Sequence, residues 1–199
     1  HVIRGAHPVK YCPQCDNPVG DHDLLEGDKA DIIKFVLVMF SWGDYKLPCA
    51  TLRPETTYGV TNLWVNPDIT YVKVTVDGQK WILSREAADK IGLQDHDVVV
   101  EGDMSGEELI GLTVSHPFSG DVPVLPATFV DPDMATGIVM SVPAHAPFDY
   151  IALRDLQAQG LHAGIVPVPL ITVEGYGEMP AKDAVERAGV QNQNDPAMD

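Results

Sequence analysis

Five short, strand-like runs follow one another in the first half of the chain, and they restrict its fold more than any other feature. They cover residues 32–40, 45–52, 58–65, 70–76 and 79–84. Many of these runs alternate apolar and polar residues or are apolar throughout, which is typical of strands in a partly or fully buried sheet. Asp77-Gly78 separates the last two runs, and this dipeptide favours a two-residue hairpin turn. The first half is therefore predicted to be a β-sheet.

The second half adds shorter strands and a few helices. Strands are predicted near 97–101, 112–115, 122–130, 136–142 and 165–173. Helices are predicted from the N-cap Ser84 to Ile91, at the capping box Ser105-Gly-Glu-Glu108, at 145–159 and near 181–188. We predict a mixed α+β fold that is mostly β, with a curved or barrel-like sheet as its core and a few peripheral helices.

Two units are expected along the chain. Residues 1–26 form an extended, turn-rich lead-in with a Cys-x-x-Cys motif, and residues 27–199 form the main domain, a length that suits one domain. No apolar run has transmembrane length. Because the chain opens at His1 without an initiator Met or a signal-peptide pattern, and ends in a polar segment at 191–199, we expect both ends to be cuts from a longer protein.

Polar residues are concentrated in two segments that flank strand-like runs. The first is Thr51-Leu-Arg-Pro-Glu-Thr-Thr-Tyr-Gly59, and the second is Ala135-Thr-Gly-Ile-Val-Met-Ser-Val-Pro-Ala-His-Ala-Pro-Phe-Asp-Tyr150. Together they offer hydroxyls, a guanidinium and the carboxylate of Asp149. A small pocket built from these groups could hold a ligand with an amine, a short apolar side chain and a sugar or phosphate. Neither segment places a nucleophile beside a base, so the predicted pocket positions a reactive substrate.

These two motifs resemble the editing domain of class I aminoacyl-tRNA synthetases. Leu52-Arg-Pro-Glu-Thr56, Tyr58-Gly-Val-Thr-Asn-Leu-Trp64 and Ser141-Val-Pro-Ala-His-Ala-Pro-Phe-Asp149 are most similar to leucyl-tRNA synthetase of the archaeal and eukaryotic type. The likeness extends over nearly the whole chain. The catalytic-core signatures of that class are absent, so the chain is not expected to activate an amino acid. The editing domains of isoleucyl- and valyl-tRNA synthetase remain alternatives within the same class.

The resemblance implies catalytic roles for Asp149, Thr51 and Thr56. Asp149 matches the ligand of the substrate's amino group, and Thr56 matches the residue that shapes the amino-acid pocket. A β-branched Thr has a stiff χ1 and suits a fixed wall against leucine. Thr51 is expected to bond the substrate carbonyl, the water or the ribose. The structural alternatives are a helix-start charge for Asp149 and a backbone-bonded strand end for Thr56.

Five further residues are implied in substrate binding. Met140 and Val142 match apolar pocket positions and share one face of a strand. Arg53 is expected to contact the terminal adenosine or its phosphate, with an ion pair to Glu55 as the alternative. Thr57 could also hydrogen-bond the substrate carbonyl, the water or the ribose, but its claim is weaker than that of Thr51. His145 invites a general-base role, but it sits in a tight Pro-Ala-His-Ala-Pro turn that it is equally suited to fix.

The net charge limits which partners the chain is expected to bind. A formal charge of -16 argues against independent RNA binding, because phosphate contacts supply most nonspecific affinity. Six acidic residues and no Lys or Arg lie between Asp95 and Glu108, a pattern that favours a solvated face over a cation site. The expected partners are the 3′-terminal adenosine of mischarged tRNA(Leu), which the domain meets, and the remainder of the synthetase, which holds the tRNA body.

Cys12 and Cys15 supply two ligands, whereas a structural zinc site uses four. The resemblance implies half of a zinc ribbon here, with structural zinc in the intact protein and no cofactor in this domain. His22 is a weaker third candidate. Cys49 is predicted to be buried, and the odd cysteine count argues against structural disulfides.

Three functions from different classes follow from these observations. The first is hydrolysis of the ester bond of tRNA(Leu) mischarged with norvaline, isoleucine or methionine, with leucine excluded and the isolated fragment only weakly active. The second is a noncatalytic RNA- or nucleotide-binding β module, against which the acidic balance counts. The third is a zinc-ribbon interaction module built on Cys12 and Cys15.

Overall fold

A nine-stranded mixed sheet forms the centre of the protein. The computed structural model describes residues 9–12, 14–20, 33–118 and 120–198. A separate two-stranded hairpin precedes the sheet, with β1 at Tyr11–Cys12 and β2 at Asn17–Pro18. The strands of the large sheet are β3 Val36–Trp42, β4 Tyr45–Thr51, β5 Asn62–Val65, β6 Thr70–Val76, β7 Gln79–Ser84, β8 Val98–Ser105, β9 Thr113–Ser115, β10 Asp121–Pro126 and β11 Val139–Ser141.

The sheet is open, with order β11-β5-β10-β9-β3-β4-β7-β6-β8. Most neighbours are antiparallel, but β5 runs parallel to β10, and β4 parallel to β7. The predicted hairpin joins β6 to β7, and both residues of its turn have positive φ, 47° at Asp77 and 80° at Gly78, as a type I′ turn requires. The mostly β, mixed fold predicted from the sequence is confirmed, with two free ends rather than a closed barrel.

Within the described part of the chain, four α-helices lie around the sheet. They are α1 Arg85–Gly92, α2 Gly106–Leu109, α3 Pro147–Ala158 and α4 Pro180–Ala188. The Ser84 hydroxyl accepts the Ala87 N–H at the start of α1, and Ser105 and Glu108 form the predicted capping box of α2. Among the described residues, no helix has the length and apolar character that crossing a membrane would require.

The helix α3 is positioned by a buried cluster that it shares with β5 and β10. Leu153 and Leu156 of α3 pack with Trp64 of β5 and Leu125 of β10. All four residues of β5 are buried, because its other side chains enter the main core with Phe40 and the rest of the sheet. The first turn of α3 is thereby held beside β5 and its partner β11, where the second polar segment ends.

Several predicted elements differ from the structure, and the strand predicted at 122–130 ends at Pro126. A 3-10 helix at Pro54–Gly59 replaces the start of the strand predicted at 58–65. No strand forms at 165–173, because Pro167 and Pro169 lack the N–H groups that a ladder needs. The helix predicted from 145 begins at Pro147, since Pro suits the first helical turn. The predicted boundary at residues 26 and 27, and His22, lie outside the described residues.

The predicted acidic face is an edge of the sheet. All six acidic residues from Asp95 to Glu108 are exposed, and two of them, Glu101 and Asp103, lie on the edge strand β8. Glu101 accepts hydrogen bonds from Thr75 and Tyr45, and Asp103 pairs with Arg85. Charged residues on an edge strand discourage pairing with another chain, which explains their presence there without a bound cation.

Candidate functional site

A cavity of about 550 Å³ brings together the two polar segments predicted from the sequence. Its volume lies in the usual range for small-molecule sites. It is lined by residues of β4 and the turn after it, of the loop before β11, and of β11 and the start of α3. The lining residues are Phe35, Ala50, Thr51, Leu52, Arg53, Thr56, Phe129, Val130, Asp131, Met134, Val139, Met140, Val142, His145, Ala146, Phe148 and Asp149. The lining is mainly apolar, with a few polar groups.

Backbone hydrogen bonds fix the first polar segment. The Thr51 hydroxyl accepts the Arg53 N–H at 3.0 Å, and the Thr56 hydroxyl donates to the Arg53 carbonyl at 2.8 Å. Pro54 begins the 3-10 helix, which turns the chain back so that Thr51 and Thr56 both line the cavity. Thr56 is 4% exposed. The backbone bond expected as the structural alternative for Thr56 is present, and it leaves the residue in the cavity wall.

Arg53 lies at the cavity with a neighbouring acid. Its Nε donates to the Glu55 carboxylate at 3.0 Å, and the two side chains are 61% and 56% exposed. An ion pair this open to solvent contributes little to stability. Burial lowers the pKa of His145, and the positive charge of the Arg53 guanidinium lowers it further.

Thr57 points away from the cavity. Thr57 is 1% exposed, and its hydroxyl oxygen lies 3.9 Å from the Met140 sulfur. Its carbonyl accepts a hydrogen bond from Nε2 of the buried His116 at 2.9 Å. The predicted substrate contact of Thr57 therefore has no direct geometric support, and the residue lies behind the wall that Met140 forms.

Met140 and Val142 line the cavity, as the strand alternation predicts, and Ser141 between them does not. β11 pairs with β5 in antiparallel register, with Met140 opposite Leu63. This pairing joins the cavity wall to the main core. The two side chains are almost fully buried and give the cavity a rigid apolar surface.

Asp149 is the buried carboxylate of the cavity. It lies in the first turn of α3 and is 3% exposed. The Val142 N–H donates to Oδ2 at 2.7 Å, and the Trp64 indole N–H donates to Oδ1 at 3.0 Å. Burial raises the pKa of Asp149 to about 7, although both hydrogen bonds act to lower it. A small change in surroundings, such as an adjacent ammonium, therefore decides whether this group is charged at neutral pH.

His145 holds a neighbouring segment in place. Its Nε2 accepts the Leu170 N–H at 2.8 Å and lies 3.4 Å from the Ile171 N. Burial, and then the charge of Arg53, lower the pKa of His145. The ring is accordingly neutral with its proton on Nδ1, and the nitrogen that would act as a base is already used. This arrangement favours a structural role over the general-base role, but the ring holds the segment at Leu170 rather than its own turn.

Sequence reasoning missed a row of aromatic residues at the site. Phe129 meets Trp64 edge-on, with ring centroids 6.2 Å apart, and Phe148 lies 5.6 Å from Phe129. Phe129 and Phe148 line the cavity, and Trp64 bonds Asp149 from behind. Trp64 stands in an apolar strand, where the sequence indicates only a core residue.

Cys12 and Cys15 approach each other at the β1–β2 hairpin, with their Sγ atoms 3.3 Å apart. Contact with Cys15 and nearby backbone N–H groups lower the pKa of Cys12, which favours a thiolate ligand. Within the residues that the structure describes, no three His, Cys, Asp or Glu side chains are grouped to hold a metal ion. Two thiols alone do not complete a structural zinc site. Cys49 is buried and free, as predicted.

Comparisons with known proteins identify the family of the chain that forms this cavity. Residues 33–159 match the family described as leucyl-tRNA synthetase, editing domain. The leucine–tRNA ligase of Methanothermobacter thermautotrophicus is 53% identical over 209 residues, which cover 100% of this chain and 22% of that protein. The corresponding ligase of Methanocaldococcus jannaschii is 48% identical, with 98% and 22% covered.

Solved structures agree on the fold. The crystal structure of the P. knowlesi cytosolic leucyl-tRNA synthetase editing domain superposes with a TM-score of 0.73 at 20% identity, covering 82% of this chain and 79% of that one. The chain spans about a fifth of the length of the ligases it matches. Together these matches confirm the family predicted from the two motifs: the chain belongs to the leucyl-tRNA synthetase editing-domain family.

Proposed function

We propose that this domain hydrolyses the ester bond of tRNA(Leu) that carries the wrong amino acid, norvaline, isoleucine or methionine, and spares leucyl-tRNA(Leu). The observation that carries the proposal is Asp149, a carboxylate with both oxygens held by N–H donors in an otherwise apolar cavity. Such a group suits the α-ammonium of an esterified amino acid, which it would bind through a charge-assisted hydrogen bond.

Positioning accounts for the chemistry. An aminoacyl ester is activated by the neighbouring ribose hydroxyls, so an aligned water and a stabilised oxyanion are enough to speed its hydrolysis. Thr51 keeps its O–H hydrogen for a substrate carbonyl, a water or the ribose, because its oxygen accepts from the Arg53 N–H. His145 is committed to the backbone of Leu170, so no step is assigned to it.

Thr56 provides the selection. A missing or extra methylene changes binding by only ~1–3 kcal/mol, so synthetases add a second site that removes the wrong products. The hydrogen bond to Arg53 and the stiff χ1 hold Thr56 in one rotamer in the wall. We infer that this wall meets the branched γ-carbon of leucine and leaves room for the linear side chain of norvaline.

The partners follow from the site. The remainder of the synthetase would hold the tRNA body and deliver its 3′ end, and Arg53 at the exposed margin would meet the terminal adenosine or its phosphate. This role places the intact protein in the cytoplasm. Structural zinc bound by Cys12 and Cys15 would need further ligands from the intact protein.

Asp149→Ala in the intact synthetase tests the reaction. We expect loss of norvalyl-tRNA(Leu) hydrolysis by roughly a hundredfold or more, because the ammonium loses a charged partner in a buried site. Asp131→Ala is the matched control, since it removes an exposed carboxylate from the same cavity and is expected to leave the rate almost unchanged. Equal rates for wild type and Asp149→Ala would refute the site, and binding of norvalyl-tRNA without turnover would favour the noncatalytic module.

A threonine series tests the selection. Thr56→Ala is expected to admit leucine, so leucyl-tRNA(Leu) is hydrolysed and fails to accumulate. Thr56→Val keeps the branched shape but loses the hydrogen bond to Arg53, and it is expected to keep excluding leucine. If both variants hydrolyse leucyl-tRNA equally, the hydroxyl and not the shape of Thr56 makes the wall.

A further inference from the structure

Trp64 is the only side chain that the structure shows bonded to Asp149. It is fully buried in the middle of β5, and its Nε1 lies 3.0 Å from Oδ1 of a residue 85 positions later in the chain. The other bond to Asp149 comes from the Val142 backbone, directly after β11. Since Trp64 lies opposite Val139 in the β5–β11 pairing, the carboxylate is held from two adjacent strands.

We propose that Trp64 is a positioning residue for amino-acid recognition: its indole N–H fixes the Asp149 carboxylate so that the remaining lone pairs receive the substrate's ammonium. The proposal rests on the editing function proposed above and deepens it. Trp64 does not line the cavity and so acts through Asp149 rather than on the substrate.

Hydrogen-bond capacity supports this role. A carboxylate has about four lone-pair sites on its two oxygens. The Trp64 and Val142 donors occupy one site on each oxygen, which prevents rotation of the carboxylate and leaves a site on each for a ligand. The indole is itself held by Phe129 and Leu153, so the donor has little freedom to move.

The charged groups around Asp149 also support a positioning role for Trp64. The other charged or titratable groups that line the cavity are Arg53, Asp131 and His145, and none of them is hydrogen bonded to Asp149 within the described structure. Burial favours the protonated carboxyl, and the two N–H donors favour the carboxylate. Removing the indole N–H removes one of the two groups that keep Asp149 able to ionise at neutral pH.

A simple packing role for Trp64 makes a different prediction. A core residue that only fills space would change stability when shortened, but it would leave the pH dependence of hydrolysis unchanged. A positioning residue changes the pH at which Asp149 becomes charged. The pH profile of kcat/KM reports the ionisation of the free enzyme and therefore separates the two roles.

Trp64→Phe in the intact synthetase is the test. We expect kcat/KM for norvalyl-tRNA(Leu) at pH 7 to fall roughly ten- to a hundredfold, the loss of one hydrogen bond to a charged group, and the midpoint of its pH profile to move upward by about one unit. Trp81→Phe is the matched control, because the buried Trp81 indole N–H has no hydrogen-bond partner among the described residues. Its midpoint is expected to stay that of the wild type.

A double-mutant cycle shows whether Trp64 acts through Asp149. In an Asp149→Asn background, Trp64→Phe is expected to cause no further loss of hydrolysis, since the carboxylate it positions is already absent. Additive losses, or an unchanged midpoint in folded Trp64→Phe, would overturn the proposal. Absence of hydrolysis by the wild type at every pH would instead refute the proposed function.

The indole N–H resonance tests the contact without a Trp variant. In the wild-type chain we expect the Trp64 Nε1–H signal to titrate with a midpoint near pH 7, the pKa of about 7 given by burial of Asp149, and to stop titrating in Asp149→Asn. The Trp81 signal is the internal control. A Trp64 signal that Asp149→Asn leaves unchanged would overturn the proposal even if Trp64→Phe fails to fold.

Discussion

Asp149 combines burial with a titratable carboxyl group, and this combination has a consequence for stability. Burial raises its folded-state pKa to about 7 from an ordinary value near 3.8. The folded protein therefore keeps this proton over a pH range in which the unfolded chain has already released it. Stability from this group is present at low pH and is lost as pH rises through the folded-state pKa.

Asp149→Asn is expected to abolish this pH-dependent loss of stability, because the amide does not titrate. Between pH 5.5 and 8.5 the wild type should lose about 2 kcal/mol of unfolding free energy relative to the variant, from the linkage of a single group with these two pKa values. Urea unfolding of both proteins across this range measures the difference and cancels the effects of net charge. Asp131→Asn, at an exposed carboxylate, is the control and should show no such trend.

The sequence predicted the residues of the site better than their contacts. Thr51, Thr56, Met140, Val142 and Asp149 all line one cavity, as expected from two long motifs. Their partners were not predictable, because the bonds from Trp64 to Asp149 and from His145 to Leu170 join residues far apart in the chain. Such contacts depend on strand order and helix placement, which local patterns do not encode.

At the scale of elements, the segment 165–173 shows how local chemistry overrides an apolar pattern. Its alternating residues predict a strand, but two prolines leave too few N–H groups for a ladder. The segment instead crosses the 3-10 helix, where a side chain on Gly59 would come within 2.9 Å of Leu170 Cδ1 and 3.1 Å of the Val168 carbonyl. Most other strands and helices were predicted to within a few residues, because capping boxes and hairpin turns are local.

His145→Ala tests the attachment of this segment. We expect amide exchange at Leu170 and Ile171 to accelerate by roughly tenfold or more, because the imidazole nitrogen no longer accepts their N–H groups. Hydrolysis of norvalyl-tRNA by the intact synthetase is expected to change by less than about tenfold, whereas loss of a general base costs ~10²–10⁴-fold.

His162→Asn serves as the control for that experiment. It removes an exposed imidazole from the adjoining loop at a residue with positive φ, which Asn tolerates. Its exchange at Leu170 should match the wild type. A hydrolysis defect of a thousandfold in His145→Ala with unchanged exchange would assign His145 to the chemistry after all.

At the scale of the whole molecule, the net charge supports a division within the proposed function, in which this domain would bind the 3′ end of the tRNA and the rest of the synthetase would bind the tRNA body. The chain carries 29 acidic and 13 basic residues, and among the described residues Arg53 is the only arginine that lines the cavity. Binding to a nucleic acid depends on phosphate neutralisation, which this composition opposes. The proposed ligand would present only an ammonium, a side chain and an adenosine to the cavity, and these groups are neutral or cationic apart from one phosphate.

The isolated chain is therefore expected to bind a nonhydrolysable norvalyl-amino-adenosine with little salt dependence, and to bind tRNA(Leu) with a Kd weaker than ~100 μM, at the weak end of nonspecific binding. Titrations of the isolated chain and of the intact synthetase at 50 and 200 mM salt measure both affinities. The intact enzyme should bind tRNA tightly, with an affinity that falls steeply as salt rises.

Hydrolysis of norvalyl-adenosine should then be similar for the isolated chain and the intact enzyme, while hydrolysis of norvalyl-tRNA should be much faster for the intact enzyme. The rest of the synthetase would account for that difference, because holding the tRNA body raises the effective concentration of its 3′ end at the cavity. Tight, salt-sensitive tRNA binding by the isolated chain would contradict this division and place a phosphate-binding surface within the domain.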